Sequence, residues 1–198
     1  MENKDKFLEI YSGKIHREGA DELLAWLERS DFFTAPASTR FHLACEGGLC
    51  THSLNVYDRL VSLLEDEDLK GRCFPGEQSE EDIQESVAIA ALLHDICKVN
   101  FYAVEMRNRK GEDGAWREVP FYTVKDKLPY GHGEKSVYIA NGFLRLKRAE
   151  AMAIRWHMGP YSDQDKVNTM GQAYDEYPLA MALHMADMLA SHIDEVNA

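Results

Sequence analysis

The sequence predicts an all-α domain that carries a small β-hairpin, and three observations support this fold class. Apolar residues recur at the i, i+3, i+4 and i+7 spacing of amphipathic helices through most of the chain. Residues 87–93 are all apolar, which is typical of a helix buried on every side. Two short runs rich in β-branched and aromatic residues flank the turn-rich residues 107–114, and this pattern indicates a hairpin. Because 198 residues suffice for one sizeable core, we expect a single domain over residues 1–198.

The N-terminal half is predicted to be helical. Residues 1–40 form an expected helical extension, with one apolar stripe over residues 20–27. A further helix is expected from about residue 49 to residue 64. The acidic residues 65–68 precede glycine and proline residues, and we interpret them as the end of this helix and a loop. The Ser-Glu-Glu-Asp sequence at residues 79–82 is a capping-box pattern, so another helix should begin there and continue into the apolar run.

The C-terminal half contains the predicted hairpin and more helices. The hairpin strands are expected at residues 99–105 and 116–124. Three helices are expected at residues 134–146, 149–156 and 179–193. Residues 159–177 show little periodicity, and we expect a long loop there that borders a site.

The charge balance argues against several classes of partner. Thirty-four acidic residues against 22 basic ones give a net charge of −12, which disfavours nucleic-acid polymers and anionic lipid surfaces. No apolar run approaches the roughly 18 residues that a membrane span requires, and the N-terminus lacks the apolar stretch of a secretory signal. We therefore expect a cytoplasmic protein without membrane attachment, of an oligomeric state that the sequence does not indicate. The four cysteines form no C-x-x-C pair, and we interpret them as reduced thiols, with a structural zinc site as the alternative.

His94 and Asp95 directly follow the buried apolar run. A carboxylate beside an imidazole is costly at such a position unless another charge compensates it. A bound divalent metal would compensate it, and a salt bridge to Lys98 is the alternative.

Four other residues share this unusual placement. His52 lies inside a predicted helix with apolar neighbours, and Asp187 lies at the edge of the apolar stripe of the last helix. His132 and His157 stand at predicted helix ends, from which an imidazole can point inward. On its own, each of these histidines is more often a packed core or surface group than a ligand, but together with the His-Asp pair they form an ordered set.

This ordered set resembles the ligand pattern of the HD-domain metal-dependent phosphohydrolases. The similarity extends from residue 41 to about residue 192 and rests on five motifs: Gly-Gly-Leu-Cys-Thr-His-Ser at His52, His-Asp-Ile-Cys-Lys at His94, Gly-His-Gly-Glu-Lys-Ser at His132, Ile-Arg-Trp-His-Met-Gly at His157 and Ala-Asp-Met-Leu-Ala at Asp187. The resemblance implies an HD-type helical bundle that holds one metal through His52, His94, Asp95 and Asp187. It further implies a second metal on His132 and His157, with Asp95 bridging. Cys97 stands where many members of the family have glycine.

The chemistry of the ligand types agrees with this resemblance. Imidazoles together with carboxylates suit Fe, Mn, Co, Ni or Zn, whereas the set has too few oxygens to favour calcium or magnesium. We therefore expect divalent transition metals, two in number. Two such ions would activate a water molecule and hold phosphate oxygens.

Asp95 and Lys98 are the expected catalytic residues. Lys98, in the His-Asp-x-x-Lys pattern, could neutralise a phosphate oxygen. Lys135, which shares a helical face with His132, and Arg40, which precedes the first ligand helix, are further candidates for binding the substrate. A solvated surface position is the alternative for both.

Two further histidines are candidates for a role at the site, and each has a purely structural alternative. His42 could also reach a substrate phosphate, or it could be a solvated loop residue. His184 could hold the Asp187 carboxylate from one helical turn away, or it could make a half-buried polar contact.

The resemblance implies hydrolysis of a phosphate ester or anhydride by a metal-activated hydroxide. A small nucleotide is the expected substrate, because the diadenosine polyphosphate hydrolases of this superfamily look similar in the order of the six ligands. Two alternatives remain open. Some HD-fold enzymes hold a di-iron centre on the same ligands and oxidise their substrate with O₂, and a non-catalytic nucleotide-binding module would have the same fold. The identity of the metal separates the hydrolase from the oxygenase.

Overall fold

The structure is a computed structural model that describes residues 2–111, 113–159 and 167–196. In the described residues, nine α-helices and one two-stranded sheet account for the regular structure, which confirms the mainly α-helical fold with a small hairpin. The helices are α1 Glu2–Lys14, α2 Ala20–Arg29, α3 Gly48–Leu63, α4 Glu67–Cys73, α5 Glu80–Leu93, α6 His132–Asn141, α7 Arg148–Trp156, α8 Val167–Glu176 and α9 Pro178–Leu189. A 3-10 turn, Ile96–Lys98, follows α5, and a π-helical turn, Ala190–Asp194, follows α9. None of the helices in the described part of the chain is long and apolar enough to cross a bilayer.

Helix caps explain one correct boundary and one error. The hydroxyl of Ser79 accepts a hydrogen bond from the backbone N–H of Asp82 at 3.1 Å, which confirms the predicted start of α5. The loop predicted after α3 is wrong in part, because α4 forms there. The carboxylate of Asp66 caps α4 by accepting hydrogen bonds from the N–H groups of Asp68 and Leu69, each at 3.0 Å. Acidic residues in the first turn of α4 are also favourable at the positive end of the helix dipole.

The hairpin and the helix after it differ slightly from the prediction. The strands are β1 Tyr102–Lys110 and β2 Trp116–Val124, paired antiparallel. β2 has the predicted bounds, whereas β1 begins later because the left-handed backbone of Asn100, with φ of 53°, interrupts the first predicted positions. β1 also continues to Lys110, so the first half of the predicted turn at residues 107–114 is wrong: it pairs with β2. α6 begins and ends before its predicted bounds, and the side-chain oxygen of Asn141 accepts a hydrogen bond from the N–H of Leu146 at 3.1 Å.

The predicted loop over residues 159–177 is wrong over its second half. Residues 167–176 form α8. Residues 160–166 of the same prediction lie outside the described residues. Helix α8 packs against α9, which carries Asp187.

Helix α5 lies at the centre of the core. Its Ile89 and Leu92 pack in a cluster with aromatic residues of the N-terminal segment, among them Phe7 and Phe32. Its Ala90 belongs to a second cluster, formed with α3, α7 and α9. The all-round burial predicted for residues 87–93 is therefore confirmed, and the end of α5 is placed deep in the protein.

A partly buried ion-pair network joins the N-terminal segment to this core. The guanidinium of Arg17 lies 2.9 Å from Glu85 of α5 and 2.8 Å from Glu150 of α7. The side chain of Glu150 is fully buried, so both of its oxygens require donors. Arg17 supplies a hydrogen bond to each of them, at 2.8 and 2.9 Å.

Candidate metal centre

Three packed helices bring buried histidines and aspartates to one place. His52 lies within α3, His94 directly follows α5, and Asp187 lies in the last turn of α9. Asp95 follows His94 and leads into the 3-10 turn. Because α3 packs against both α5 and α9, these side chains meet although they are far apart in sequence. All four residues are buried, so their charges need partners within the protein.

Four donor atoms converge at one point, and we call the residues that supply them the first group: His52, His94, Asp95 and Asp187. The Nε2 atom of His52 lies 3.2 Å from Nε2 of His94, 3.3 Å from Oδ1 of Asp187 and 3.6 Å from Oδ2 of Asp95. The Nε2 atom of His94 lies 3.6 Å from the same Asp95 oxygen. Two ring nitrogens and two carboxylates that face one another in this way can hold a cation between them.

The second group consists of His132 and His157, which lie beside the other oxygen of Asp95. The Nε2 atoms of His132 and His157 lie 2.8 Å and 3.5 Å from its Oδ1. The centres of these two histidine rings are 5.1 Å apart. Asp95 therefore presents Oδ2 to the first group of histidines and Oδ1 to the second.

Close contact between α6 and α7 positions the second group. At Gly133 a Cβ atom would lie only 2.2 Å from the backbone oxygen of Arg155, so a side chain cannot be accommodated without separating the helices. Gly131, just before the helix, has φ of 94°, a backbone conformation that favours glycine. These two glycines flank His132 and let it approach the end of α7, where His157 lies.

The rings of His94 and His157 are oriented by their own helices. Nδ1 of His94 lies 2.7 Å from the carbonyl oxygen of Ala91, and Nδ1 of His157 lies 2.6 Å from that of Ile154. Carbonyls in the last turn of a helix lack backbone partners, so they can accept these hydrogen bonds. With the proton on Nδ1, each ring directs the lone pair of Nε2 into the centre.

Burial and hydrogen bonding act in opposite directions on the two histidines of the first group. Burial disfavours the charged form of His52, but hydrogen bonds to Asp187 and Glu195 outweigh it and raise its pKa to about 9. Burial dominates for His94 and lowers its pKa to about 3. The His94 ring is therefore neutral at physiological pH, as a metal ligand must be.

Both aspartates are ionised. Burial alone would raise the pKa of Asp95, but the positive charge of Lys98 and the neighbouring histidines hold it well below its usual range. The hydrogen bond from His52 likewise lowers the pKa of Asp187 against the effect of burial. The centre therefore keeps two negative charges in a buried site at neutral pH.

The six groups fit divalent metal binding. Four imidazoles and two carboxylates form a donor set that transition metals accept. The buried Nε2 atom of His157 has no hydrogen-bond partner among the described residues, although Nδ1 of the same ring is bonded. An unpartnered buried nitrogen is costly, and a cation bound next to Asp95 would satisfy it.

A cavity of about 690 Å³ opens onto this centre. His52, Asp95, His132 and Asp187 are exposed to it, together with Lys98. Lys98 is the only lysine or arginine among the described residues that line the cavity. The rest of the lining combines polar residues with apolar side chains, the latter including Phe41, Tyr102, Val124, Met158, Met188 and Val196.

The three cations predicted to bind substrate occupy different environments. The Nζ atom of Lys98 lies 2.6 Å from Asp95, beside the centre. Lys135 is buried and lies 2.5 Å from Asp126, and it does not line the cavity. Arg40 is exposed, with its guanidinium 5.0 Å from the centre of the Phe41 ring, and it lines a neighbouring groove. The structure thus brings one of the three cations to the candidate centre.

Sequence reasoning missed Glu195, which contacts His52 on the side opposite the other donors. The signal was its register: it follows Asp187 by eight residues and Ser191 by four, on one side of a helix. Ser191 donates a hydrogen bond to Asp187 at 3.1 Å and also lines the cavity.

The two additional histidines both lie in the cavity wall. His42 contacts Glu195 at 2.5 Å. Nδ1 of His184 lies 2.5 Å from the backbone oxygen of His157, so His184 supports the end of α7 and does not hold the Asp187 carboxylate.

The four cysteines are free. Of the four cysteines, Cys97 is the one that lies in a cluster of potential metal ligands among the described residues, together with Asp95 and His132. Its Sγ lies 3.4 and 3.9 Å from the two ring nitrogens of His132, so the sulfur packs against the ring and does not lie on the axis of one nitrogen. Burial raises the pKa of the Cys97 thiol to about 12, which leaves it protonated.

Comparison with known families points to the segment that carries the candidate metal ligands. A family model described as HD domain matches residues 49–197, well over half of the chain. The matched segment contains all six histidines and aspartates of the two groups. In comparisons with curated proteins and with solved structures, nothing matches.

Proposed function

The chain belongs to the HD-domain family, and from this membership we propose that it is a metal-dependent phosphohydrolase acting on a phosphate ester or anhydride of a small nucleotide. One observation carries the proposal: the two oxygens of the buried Asp95 carboxylate face two separate groups of histidines. A carboxylate so placed suits a pair of divalent ions, for which this donor set favours Fe, Mn, Co, Ni or Zn. We assign one ion to the group His52, His94, Asp95 and Asp187, and a second to the group His132, His157 and Asp95.

Two bound ions supply the Lewis acidity that activates water and stabilises charge on phosphate oxygens. The protein adds one fixed cation next to them. Burial alone would lower the pKa of Lys98, but the charge of Asp95 raises it well above its ordinary value, so the ammonium group remains protonated. A phosphate bound at the centre would contact this ammonium group, which stabilises the charge that develops on phosphoryl oxygens.

The cavity supports a small nucleotide as the substrate. Its volume of about 690 Å³ is in the range of small-molecule sites. Apolar side chains such as Phe41, Val124 and Met188 suit the faces of a base and a sugar, whereas a long polyphosphate would require more cations than Lys98.

The experiment begins with metal analysis of protein purified without oxygen. A panel of nucleotides is then tested for release of phosphate or nucleoside monophosphate by the Mn-loaded protein under strict anaerobiosis. Lys98→Met should lower kcat/KM by about 100- to 1,000-fold while metal content stays unchanged, because one charge-stabilising donor is lost. Lys135→Met is the matched control: it also removes a buried ammonium group, but one outside the cavity, so activity per folded molecule should stay close to that of wild type.

Three outcomes would contradict the proposal. Turnover seen only with iron and O₂, with oxygen consumed, would identify an oxygenase. Nucleotide binding without turnover in any metal form would identify a binding module. Equal losses in the two lysine variants would remove Lys98 from the substrate site.

A further inference from the structure

The carboxylate of Glu195 receives three side-chain donors inside the protein. Its Oε1 lies 3.1 Å from Nδ1 of His52 and 2.8 Å from Nδ2 of Asn55. Its Oε2 lies 2.5 Å from Nδ1 of His42 and 3.2 Å from Nδ1 of His52. The residue is only 2% exposed, so these donors replace water around a buried charge.

His52 needs this acceptor because of its place in α3. His94 and His157 each follow a helix end and use a free carbonyl of their own last turn. His52 is the fifth residue of a 16-residue helix, where the carbonyls of the preceding turn are already bonded to backbone N–H groups. The acceptor for its Nδ1 must therefore come from elsewhere, and Glu195 supplies it from 143 residues later in the chain.

The segment that carries Glu195 is held in place by a separate contact. The carboxylate of the preceding residue, Asp194, accepts a hydrogen bond from Nε of Arg59 at 2.7 Å, which ties the segment to α3. The backbone N–H of Glu195 donates to the oxygen of Ala190 at 3.1 Å and closes the π-helical turn. Two adjacent carboxylates thus have different contacts: Asp194 anchors the segment and Glu195 reaches the His52 ring.

We propose that Glu195 is a positioning residue for the metal centre, acting through His52. An ionised carboxylate can only accept hydrogen bonds, so Glu195 keeps one proton of His52 on Nδ1. The other proton, on Nε2, faces Asp187, and it is the one that His52 would release when an ion binds between His94 and Asp187. A carboxylate partner also makes an imidazole a stronger ligand. The inference rests on the proposed metal function, since it concerns a ligand of the first ion.

The test compares metal binding by wild type, Glu195→Ala, Glu195→Gln and Asp194→Ala. Metal-free protein is titrated with Co²⁺ against a chelator, which gives the affinity and the number of ions, and the melting temperature of each metal-free protein is recorded. Glu195→Ala should lower the affinity of the first group for its ion by about 10- to 100-fold. Asp194→Ala loses the contact to Arg59 but keeps the acceptor, so its affinity should stay close to that of wild type. Glu195→Gln should show a smaller loss, since one amide oxygen can still accept from His52.

The outcomes distinguish a positioning role from a structural one. A lower melting temperature of Glu195→Ala with unchanged metal affinity would overturn the proposal. An equal loss of affinity in Asp194→Ala and Glu195→Ala would also overturn it, because docking of the segment would then be the cause. If Glu195→Ala does not fold, Glu195→Gln decides, and wild-type affinity in that variant contradicts the proposal. A wild-type protein that binds no metal would instead overturn the proposed function.

Discussion

Replacing Gly133 with alanine should remove one of the two proposed ions and leave the other. The added Cβ would lie 2.2 Å from the backbone oxygen of Arg155, whereas a carbon–oxygen contact needs about 3.3 Å, so α6 must move by about 1 Å. His132 is adjacent to Gly133 and moves with it. Metal–ligand distances tolerate deviations of about 0.2 Å, so His132 and His157 can no longer share an ion. The first group lies on other helices and keeps its geometry.

The measurements are metal content per chain and thermal unfolding. Overpacking of this kind costs about 1–3 kcal/mol, which corresponds to a melting temperature about 2 to 12 °C lower for a domain of this size. A double variant, His132→Ala with His157→Ala, should show the same loss of about one ion. Gly171→Ala is the control, because an added Cβ there meets nothing within 4 Å and alanine favours a helix. Two ions bound with wild-type affinity in Gly133→Ala would refute the argument that this helix contact sets the second group.

Three further predictions concern buried or partly buried charges. Asp95→Ala should abolish metal binding and hydrolysis with almost unchanged helix content by circular dichroism, and an active variant would contradict the whole assignment. In the metal-free state Asp95→Asn leaves Lys98 buried without its partner and should cost about 3–5 kcal/mol in urea unfolding, most of which the added change Lys98→Met should restore. Burial alone would raise the pKa of Glu85, but hydrogen bonds from Arg17 lower it below 4.5, so this carboxylate stabilises the fold above that pH and the stabilisation is lost as pH falls. In Arg17→Met the free energy of unfolding should therefore fall less steeply between pH 6 and pH 3 than in wild type. An unchanged slope of the free energy against pH would contradict this assignment.

The sequence was most informative where an apolar helical pattern lies next to charged residues, since burying a charge is costly. The apolar run in α5 and the stripe in α9 predicted buried helices, and charged residues at the ends or edges of such helices are too costly to be accidental. This combination marks His94, Asp95 and Asp187 as candidate ligands. The structure brings all three together with His52, His132 and His157.

Other features depend on contacts that periodicity does not report. The cap of α4 comes from a single side chain, Asp66, within an acidic run that otherwise resembles a solvated loop. Lys135 lies one turn after His132, but Asp126 binds its ammonium group outside the cavity. The register of Glu195 places it on the same side of a helix as Asp187, but not beside His52, which it reaches only in the folded protein. Each of these depends on a particular side-chain contact, which a single sequence does not reveal.

The Arg17 network also affects the order in which the chain can fold. Arg17 bonds Glu85 and Glu150 across sequence separations of 68 and 133 residues. At a synthesis rate of about 5–20 residues per second, Glu150 emerges roughly 7 to 27 s after Arg17. During that interval Phe7, Leu23 and Phe32 lack part of the surface that covers them in the native protein. The packing around Phe7 and Phe32 is therefore completed only by residues synthesised well after them, and until then these apolar side chains stay partly exposed.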